Sequence, residues 1–326
     1  FTQIVNNGNV DVIVEGEGEQ TLLELAKNWK NNKLEKCNGA VILKNNIYIT
    51  GEKRELISDL DILPLPNYSD FKLDKYALKN NFSIMMTRGC PMKCIYCSEG
   101  EYWKKSRTRS GKNVFEEMHY IAKNYNGTYF HFGDCMINTN LKEIEVLCDL
   151  LIKNQTNVLW KVKVYPNKNL NYNIMKKMRD AGCVTWELGV ETGSDRLIKD
   201  MGRNYNTSIV KKILEIGKEV GISINTFWML GFPTETDEDF KKTLNFLEEI
   251  KNYIKIDPPC VSIFQILRDT PFYQKVNDFE IIDYNSKEWY TKKQNNSAKI
   301  RSERYKKFFE HAKKLNLLNN EVYING

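Results

Sequence analysis

Apolar runs alternate with amphipathic segments between Phe82 and Tyr273, and this alternation constrains the fold more than any other feature. Each run has the length of a strand, and the following segments carry apolar residues at helical spacings of three and four. Repeated strand–helix units of this kind form α/β folds, with a parallel sheet covered by helices. We predict strands over six runs: 83–87, 128–133, 160–165, 184–191, 223–230 and 261–267. Six such units make an open barrel, and barrels of this type place their chemistry in the loops after the strands.

Shorter segments flank the predicted barrel. The chain begins with Phe1 and enters a strand-like run almost at once, so we expect it to be part of a longer protein. Near the other end, an amphipathic helix is predicted, with an apolar face that we expect to pack on the barrel: Tyr305, Phe308, Phe309, Ala312 and Leu315. The predicted organisation is a small αβ segment, a proline-containing linker, the barrel and a helical C-terminal extension, over residues 1–58, 59–80, 81–273 and 274–326 respectively.

Three cysteines follow the first predicted strand with the spacing C-x3-C-x2-C: Cys90, Cys94 and Cys97. In a chain without a secretory signal, cysteines this close are typical of metal or cluster ligands. A structural zinc site needs a fourth ligand, and residues 77–117 contain no histidine or further cysteine. A 4Fe-4S cluster usually takes four thiolates, so three would leave one iron open, which is typical of catalytic sites. A zinc site and a cluster used only for structure or electron transfer are the alternatives.

The cysteine spacing, with Tyr96 directly before the last cysteine, resembles the cluster loop of the radical S-adenosylmethionine (SAM) superfamily. The resemblance implies a partial (β/α)6 barrel in which Cys90, Cys94 and Cys97 hold a 4Fe-4S cluster. It also implies that SAM binds the open iron and is cleaved to a 5'-deoxyadenosyl radical, which abstracts hydrogen from a substrate. A reductant such as a flavodoxin or ferredoxin is implied as a partner.

Three other strand ends resemble SAM-binding segments of the same family. Gly133 and Asp134 stand where the family often has Gly-Gly-Glu, so one glycine is missing and the acid is shorter. The segments 189–194 and 230–236 look like the family's Gly-Val-Glu-Ser and Gly-Phe-Pro-Gly-Glu-Thr. The resemblance implies that SAM contacts come from Tyr96, Gly133, Asp134, Glu191, Thr192, Gly231, Phe232 and Pro233. No catalytic residue is assigned.

The start of the chain resembles the junction between a cobalamin-binding domain and a radical SAM domain. The resemblance is carried by the first strand, by a Gly-Glu-Gly-Glu segment and by Pro64-Leu65-Pro66. Residues 1–58 would then be the C-terminal remnant of a Rossmann-like cobalamin domain plus a hairpin. The family's Asp-x-His-x-x-Gly signature is absent from this chain, so cobalamin binding is expected only in the full-length protein.

Methyl transfer to carbon is the commonest reaction that this resemblance implies. The alternatives are a ring-forming or rearranging enzyme, a methylthiotransferase and, in a different class, a non-catalytic iron-sulfur or zinc protein. The sequence does not identify the substrate.

Composition limits the classes of function and the cellular location that we expect for this chain. The net charge of +6 arises from 48 basic and 42 acidic residues without a block of one sign, so nucleic-acid binding is not expected. No apolar stretch approaches the ~20 residues of a membrane span, and we expect a cytoplasmic protein. His131 lies on a predicted strand among aromatic residues and is predicted to be a satisfied core histidine, with hydrogen-bond partners for its ring nitrogens. The remaining cysteines are predicted to be buried: Cys37, Cys135, Cys148, Cys183 and Cys260.

Overall fold

The computed structural model describes residues 10–31, 33–44, 47–257, 260–293 and 295–318. The chain divides into two compact units, Phe1–Ile62 and Leu63–Gly326. The strands are β1 (Val12–Val14), β2 (Ala40–Lys44), β3 (Ile47–Thr50), β4 (Asn81–Ile84), β5 (Thr87–Arg88), β6 (Arg107–Thr108), β7 (Tyr129–Phe132), β8 (Leu159–Val164), β9 (Cys183–Glu191), β10 (Ser223–Leu230), β11 (Val261–Ile263), β12 (Ile281–Ile282) and β13 (Tyr290–Thr291).

The helices are α1 (Gly18–Asn28), α2 (Glu99–Trp103), α3 (Gly111–Tyr125), α4 (Leu141–Lys153), α5 (Tyr172–Asp180), α6 (Asp195–Asp200), α7 (Thr207–Val220), α8 (Asp237–Ile250), α9 (Pro271–Gln274) and α10 (Ala298–Lys314). Short 3₁₀ turns lie at Trp29–Asn31, Leu34–Lys36, Leu60–Ile62, Leu73–Lys75 and Val276–Phe279.

The first unit contains an antiparallel sheet in the order β1-β2-β3. Leu25 of α1 packs with Cys37 and Ala40 in a small core. The predicted hairpin is present, since Val41 pairs with Thr50 across β2 and β3. Its turn, residues 45–46, lies outside the described residues.

The second unit is built on a six-stranded parallel sheet in the order β11-β10-β9-β8-β7-β4. Sequential neighbours along the chain are neighbours in the sheet, and helices connect them, which is the arrangement of an open barrel. The predicted α/β open barrel is therefore confirmed. β10 has the predicted bounds, whereas β11 ends at Ile263, four residues earlier than predicted.

Alternate residues of the sheet face two different environments. The side chains under the helices are large and apolar, and Trp160, Trp186 and Trp228 are at most 1% exposed. Burial of an aromatic side chain contributes about 1.5–3 kcal/mol, and the indole Nε1 of Trp160 also donates to the Ala181 carbonyl at 2.8 Å. The opposite surface, which we call the inner face, is only partly buried.

The first strand of the barrel, β4, differs from the prediction, because it ends at Ile84 rather than at Thr87. The backbone N–H groups of Met86 and Thr87 donate to the carboxylate of Asp134 instead of to a neighbouring strand. The chain then turns away from the sheet, and β5 pairs with β6 as a separate antiparallel ribbon. A side chain more than 40 residues away thus sets this boundary, which local sequence could not show.

The predicted C-terminal helix is present as α10, and it packs against β10, β11 and α8. Phe308 and Ala312 are buried as predicted, and Tyr305 and Phe309 pack partly buried against the core. Arg301 and Arg304 are buried beside them, at 2% and 4% exposure. The face that contacts the barrel is therefore partly cationic.

Candidate active site

The loop that carries Cys90, Cys94 and Cys97, residues 89–98, lies at the mouth of the open barrel and is called the cysteine loop here. The Ile95 N–H donates to the Met201 carbonyl at 3.1 Å, and the Ile95 carbonyl accepts from Phe272 N–H at 2.7 Å. These bonds tie the loop to the segment after α6 and to the start of α9. The cysteine loop is thus fixed from two directions.

Arg203 joins the cysteine loop to the end of β9. Its Nη1 donates to the Tyr96 hydroxyl at 2.5 Å and to Glu191 Oε1 at 2.6 Å, and its Nη2 donates to the Gly189 carbonyl at 3.1 Å. Glu191 ends its strand in the left-handed region, with φ 65°, and its carboxylate is largely buried. Charge-assisted hydrogen bonds of this kind are roughly twice as strong as neutral ones, so Arg203 fixes both segments.

The three thiols of the cysteine loop are free and partly exposed. Burial raises the pKa of each of them, that of Cys94 to about 11, while the positive charge of Arg203 favours the thiolate form. The buried Nε of Arg203 has no hydrogen-bond partner among the described residues. Three thiols beside a partly unsatisfied cation fit an anionic group such as a thiolate-bound cluster.

The described residues contain no three ligating side chains close enough together to hold one metal ion. A 4Fe-4S cluster does not require such a convergence, because each cysteine binds a different iron. The donor set at the mouth therefore fits a cluster with three protein ligands.

The segment after β7 contains two of the predicted SAM contacts. A Cβ added at Gly133 would meet only the Ile84 carbonyl, at 3.8 Å, so space is open beside it. Asp134 is 1% exposed, and its carboxylate accepts from Met86 N–H at 3.1 Å and from Thr87 N–H. Asp134 thereby supports the start of the cysteine loop, and its contact with SAM stays a prediction.

The other predicted contacts divide into two groups. Tyr96 and Glu191 lie together beside the cysteine loop, as described above. The side chains of Thr192 and Phe232 are fully buried, because Thr192 Oγ1 lies 2.9 Å from Thr243 Oγ1 and Phe232 packs on Phe264. For these two residues, only backbone atoms are left to meet a ligand.

The loop after β10, residues 231–236, is called the β10 loop here. Asn296 and Arg304, from the C-terminal part of the chain, bind it. Glu235 Oε2 accepts from Gly231 N–H at 2.8 Å and from Arg304 Nη1 at 2.9 Å. Asn296 Nδ2 donates to the Phe232 carbonyl at 2.7 Å. Burial raises the pKa of Glu235 to about 7, and the charge of Arg304 opposes this shift. Pro233 is buried within the same loop.

One of the cysteine predictions is wrong. Cys135 is partly exposed rather than buried. Burial raises the pKa of its thiol, and the hydrogen bond to Glu99 and the charges of Glu99, Cys90 and Cys97 raise it further. Its neighbour Met136 places Sδ 3.4 Å from Cys90 Sγ. The prediction of burial is confirmed for Cys37, Cys148, Cys183 and Cys260.

An open parallel barrel with a three-cysteine loop at its mouth defines the class of protein. The model of the Radical SAM superfamily matches residues 84–247, which is half of the 326-residue chain. The chain therefore belongs to the radical SAM superfamily, whose members use a 4Fe-4S cluster and SAM.

Curated relatives point to more than one reaction within this superfamily. An uncharacterized methyltransferase of Pyrococcus horikoshii is 28% identical over 246 residues, which are 74% of this chain and 53% of the relative. An anaerobic magnesium-protoporphyrin IX monomethyl ester cyclase of Rubrivivax gelatinosus is 26% identical over 294 residues, 85% of this chain and 51% of the relative. The chain thus spans about half the length of these relatives.

A solved structure supports the fold. The radical SAM methyltransferase TsrM from Kitasatospora setae, with tryptophan and a SAM analogue bound, matches with a TM-score of 0.70 at 16% identity. The match covers 84% of this chain and 55% of TsrM.

Among the described residues, we find no helix that combines the length and the apolar character needed to cross a membrane.

Proposed function

We propose that this chain cleaves SAM reductively, with a 4Fe-4S cluster on Cys90, Cys94 and Cys97, and abstracts hydrogen from a substrate carbon. The observation that carries the proposal is the fixed position of the cysteine loop at the mouth of the open barrel. When bound, the cluster supplies the electron that splits SAM into methionine and the 5'-deoxyadenosyl radical. The chain's own residues hold and orient the reactants.

Each residue at the mouth has a role that follows from its contacts. The three thiols would hold the cluster, and Arg203 stabilises their negative charge while it fixes Tyr96 and Glu191. Gly133 leaves space at the end of β7, where a ligand can approach the backbone. The backbone of the β10 loop, fixed by Glu235, would meet the adenine of SAM.

For the whole protein we propose methyl transfer to carbon of the cobalamin-dependent type. The support is the similarity to a methyltransferase in sequence and to TsrM in fold. In this proposal, residues 1–58 are the end of a cobalamin-binding domain, 59–80 the linker, 81–273 the radical SAM core and 274–326 an extension. A flavodoxin or ferredoxin would supply the electron.

A second candidate is anaerobic ring formation, which the similarity to the magnesium-protoporphyrin cyclase favours. Both reactions begin with the same radical and differ in what happens to the substrate afterwards. SAM with a deuterated methyl group separates them once a substrate is known, because only methylation transfers deuterium to the product.

The first experiment measures 5'-deoxyadenosine and methionine formed by anaerobically reconstituted protein with SAM and a strong reductant. We expect product from the wild type and none from Cys94→Ala. Cys148→Ala is the matched control, because Cys148 is buried in α4, and we expect it to stay active. The proposal is wrong if neither this chain nor the full-length protein forms 5'-deoxyadenosine when each carries a full cluster.

A further inference from the structure

The inner face of the barrel carries charged groups that the cysteine loop and the β10 loop do not use. Barrel interiors are usually filled by branched apolar side chains. Here the residues that alternate with the buried side chains are polar. Glu187 is buried, and the others are partly buried: Tyr129, His131, Lys161, Lys163, Thr185 and Asn225. A polar, partly open interior is typical of a binding surface rather than of a core.

Strand register brings these polar residues together. His131 pairs with Lys161 between β7 and β8, and Lys163 pairs with Glu187 between β8 and β9. Lys161 Nζ lies 2.9 Å from Glu187 Oε1, so this lysine has a carboxylate partner. The four side chains form one group, which we call the inner cluster.

The inner cluster contains two lysines and one carboxylate. Glu187 compensates Lys161, whereas Lys163 forms no ion pair within the described part of the chain. Burial lowers the pKa of His131, and the charges of Lys161 and Lys163 lower it further, while the charge of Glu187 opposes this shift. Another carboxylate, Asp257, accepts from Asn225 Nδ2 at 2.5 Å on the same face, so the cation left to bind an anionic ligand is Lys163.

A second observation points to a ligand at the same place. The Nε2 atom of His131 is buried and has no hydrogen-bond partner among the described residues. A buried polar atom without a partner costs about 1–3 kcal/mol, and a ligand can satisfy it. The prediction that His131 is a satisfied core histidine is therefore wrong.

The position of the inner cluster suits a substrate that reacts at the mouth. His131 lies two residues before Gly133 on the same face of the sheet, and Glu187 lies two residues before Gly189. Two residues of a strand span about 6.6 Å. A group bound at the inner cluster would therefore leave the rest of a small molecule extending toward the cysteine loop.

We propose that Lys163 and His131 bind an anionic group of the substrate, a carboxylate or a phosphate, on the inner face of the barrel. The identification of this ligand as the substrate rests on the proposed SAM chemistry. Lys163 Nζ and, in the tautomer protonated there, His131 Nε2 donate to the anion. The substrate is thus a polar molecule that carries its negative charge several ångströms from the reacting carbon.

The test uses the imidazole NMR signals of the whole, cluster-reconstituted chain labelled at histidine. The chain has three histidines, so His119 and His311 serve as internal controls. Inorganic phosphate and succinate are titrated separately, against potassium chloride at matched ionic strength. We expect a saturable shift of the His131 signals with one of these anions, and the responding anion tells phosphate from carboxylate recognition.

Three variants locate the anion. Lys163→Met keeps the length of the side chain and should weaken binding about tenfold or more, since a charged hydrogen bond is lost. Lys163→Arg should retain binding, and Lys168→Met, at an exposed loop position, should match the wild type. Unmoved His119 and His311 signals show that each variant is folded.

Two results would overturn the proposal. One is a His131 signal that does not shift saturably with either anion, and the other is a shift that survives Lys163→Met unchanged. Because the readout needs no SAM cleavage, failure of 5'-deoxyadenosine formation would refute the proposed function without changing this result.

Discussion

The buried pair between Glu235 and Arg304 gives the sharpest prediction for stability. Glu235 is fully buried and Arg304 is 4% exposed, and their side chains meet at 2.9 Å. Removal of one partner from a buried ion pair costs about 3–5 kcal/mol, because it leaves an uncompensated charge. We therefore expect Arg304→Met to lower the free energy of unfolding by about that amount at pH 8.

The effect should depend on pH, with a sign that follows from the pKa of Glu235. Burial raises this pKa from 4.5 to about 7 in the folded protein, so folding favours the protonated carboxyl. The stability that this proton uptake contributes is fully present below pH 4.5 and is lost as the pH rises through about 7. Without Arg304 the pKa rises further, so the loss continues to higher pH. The difference between wild type and Arg304→Met should be larger at pH 8 than at pH 6.

Urea unfolding followed by tryptophan fluorescence at the two pH values measures this difference. Asp237→Asn is the matched control, because Asp237 pairs with the same arginine but is 98% exposed, and exposed pairs contribute about 0–1 kcal/mol. The double variant Glu235→Gln/Arg304→Met should recover part of the loss and respond less to pH. A cost below about 1 kcal/mol, or an equal cost at both pH values, would refute the reasoning.

Two further substitutions test the supports of the mouth. Asp134→Ala removes the acceptor of two backbone N–H groups before the cysteine loop, and we expect less iron per chain after reconstitution; an unchanged iron content would contradict this role. Gly231→Ala places a Cβ 2.5 Å from the side chain of Arg301 at a φ of +78°, and we expect a loss of at least about 1–2 kcal/mol in thermal unfolding. Gly100→Ala, where a Cβ meets nothing within 4 Å, should not be destabilised.

Local patterns were sufficient to predict the six strands of the parallel sheet, although not the ends of β4 and β11. The apolar run along Ser223–Leu230 follows the helix end at Gly221 and gave exact bounds, and every second side chain in this strand is buried. The cysteine spacing also predicted a loop at the barrel mouth. These features depend on neighbours within a few residues, which a sequence displays directly.

Contacts between distant residues could not be predicted in this way. Nothing in the sequence singled out Arg203 or Arg304, because their partners Glu191 and Glu235 lie 12 and 69 residues away. His131 was assigned to the core because its neighbours in the strand are aromatic.

The first and last strands of the open barrel, β4 and β11, determine how readily the sheet could pair with a strand of another chain. A barrel that does not close exposes two strand edges, and such edges can pair with another chain. In the described part of the chain, the outer strands are short, with four residues in β4 and three in β11. Their exposed positions carry polar side chains, such as Ser83 and Ser262. Short, polar edges offer few groups for intermolecular sheet formation, so the barrel can stay open without becoming a template for aggregation.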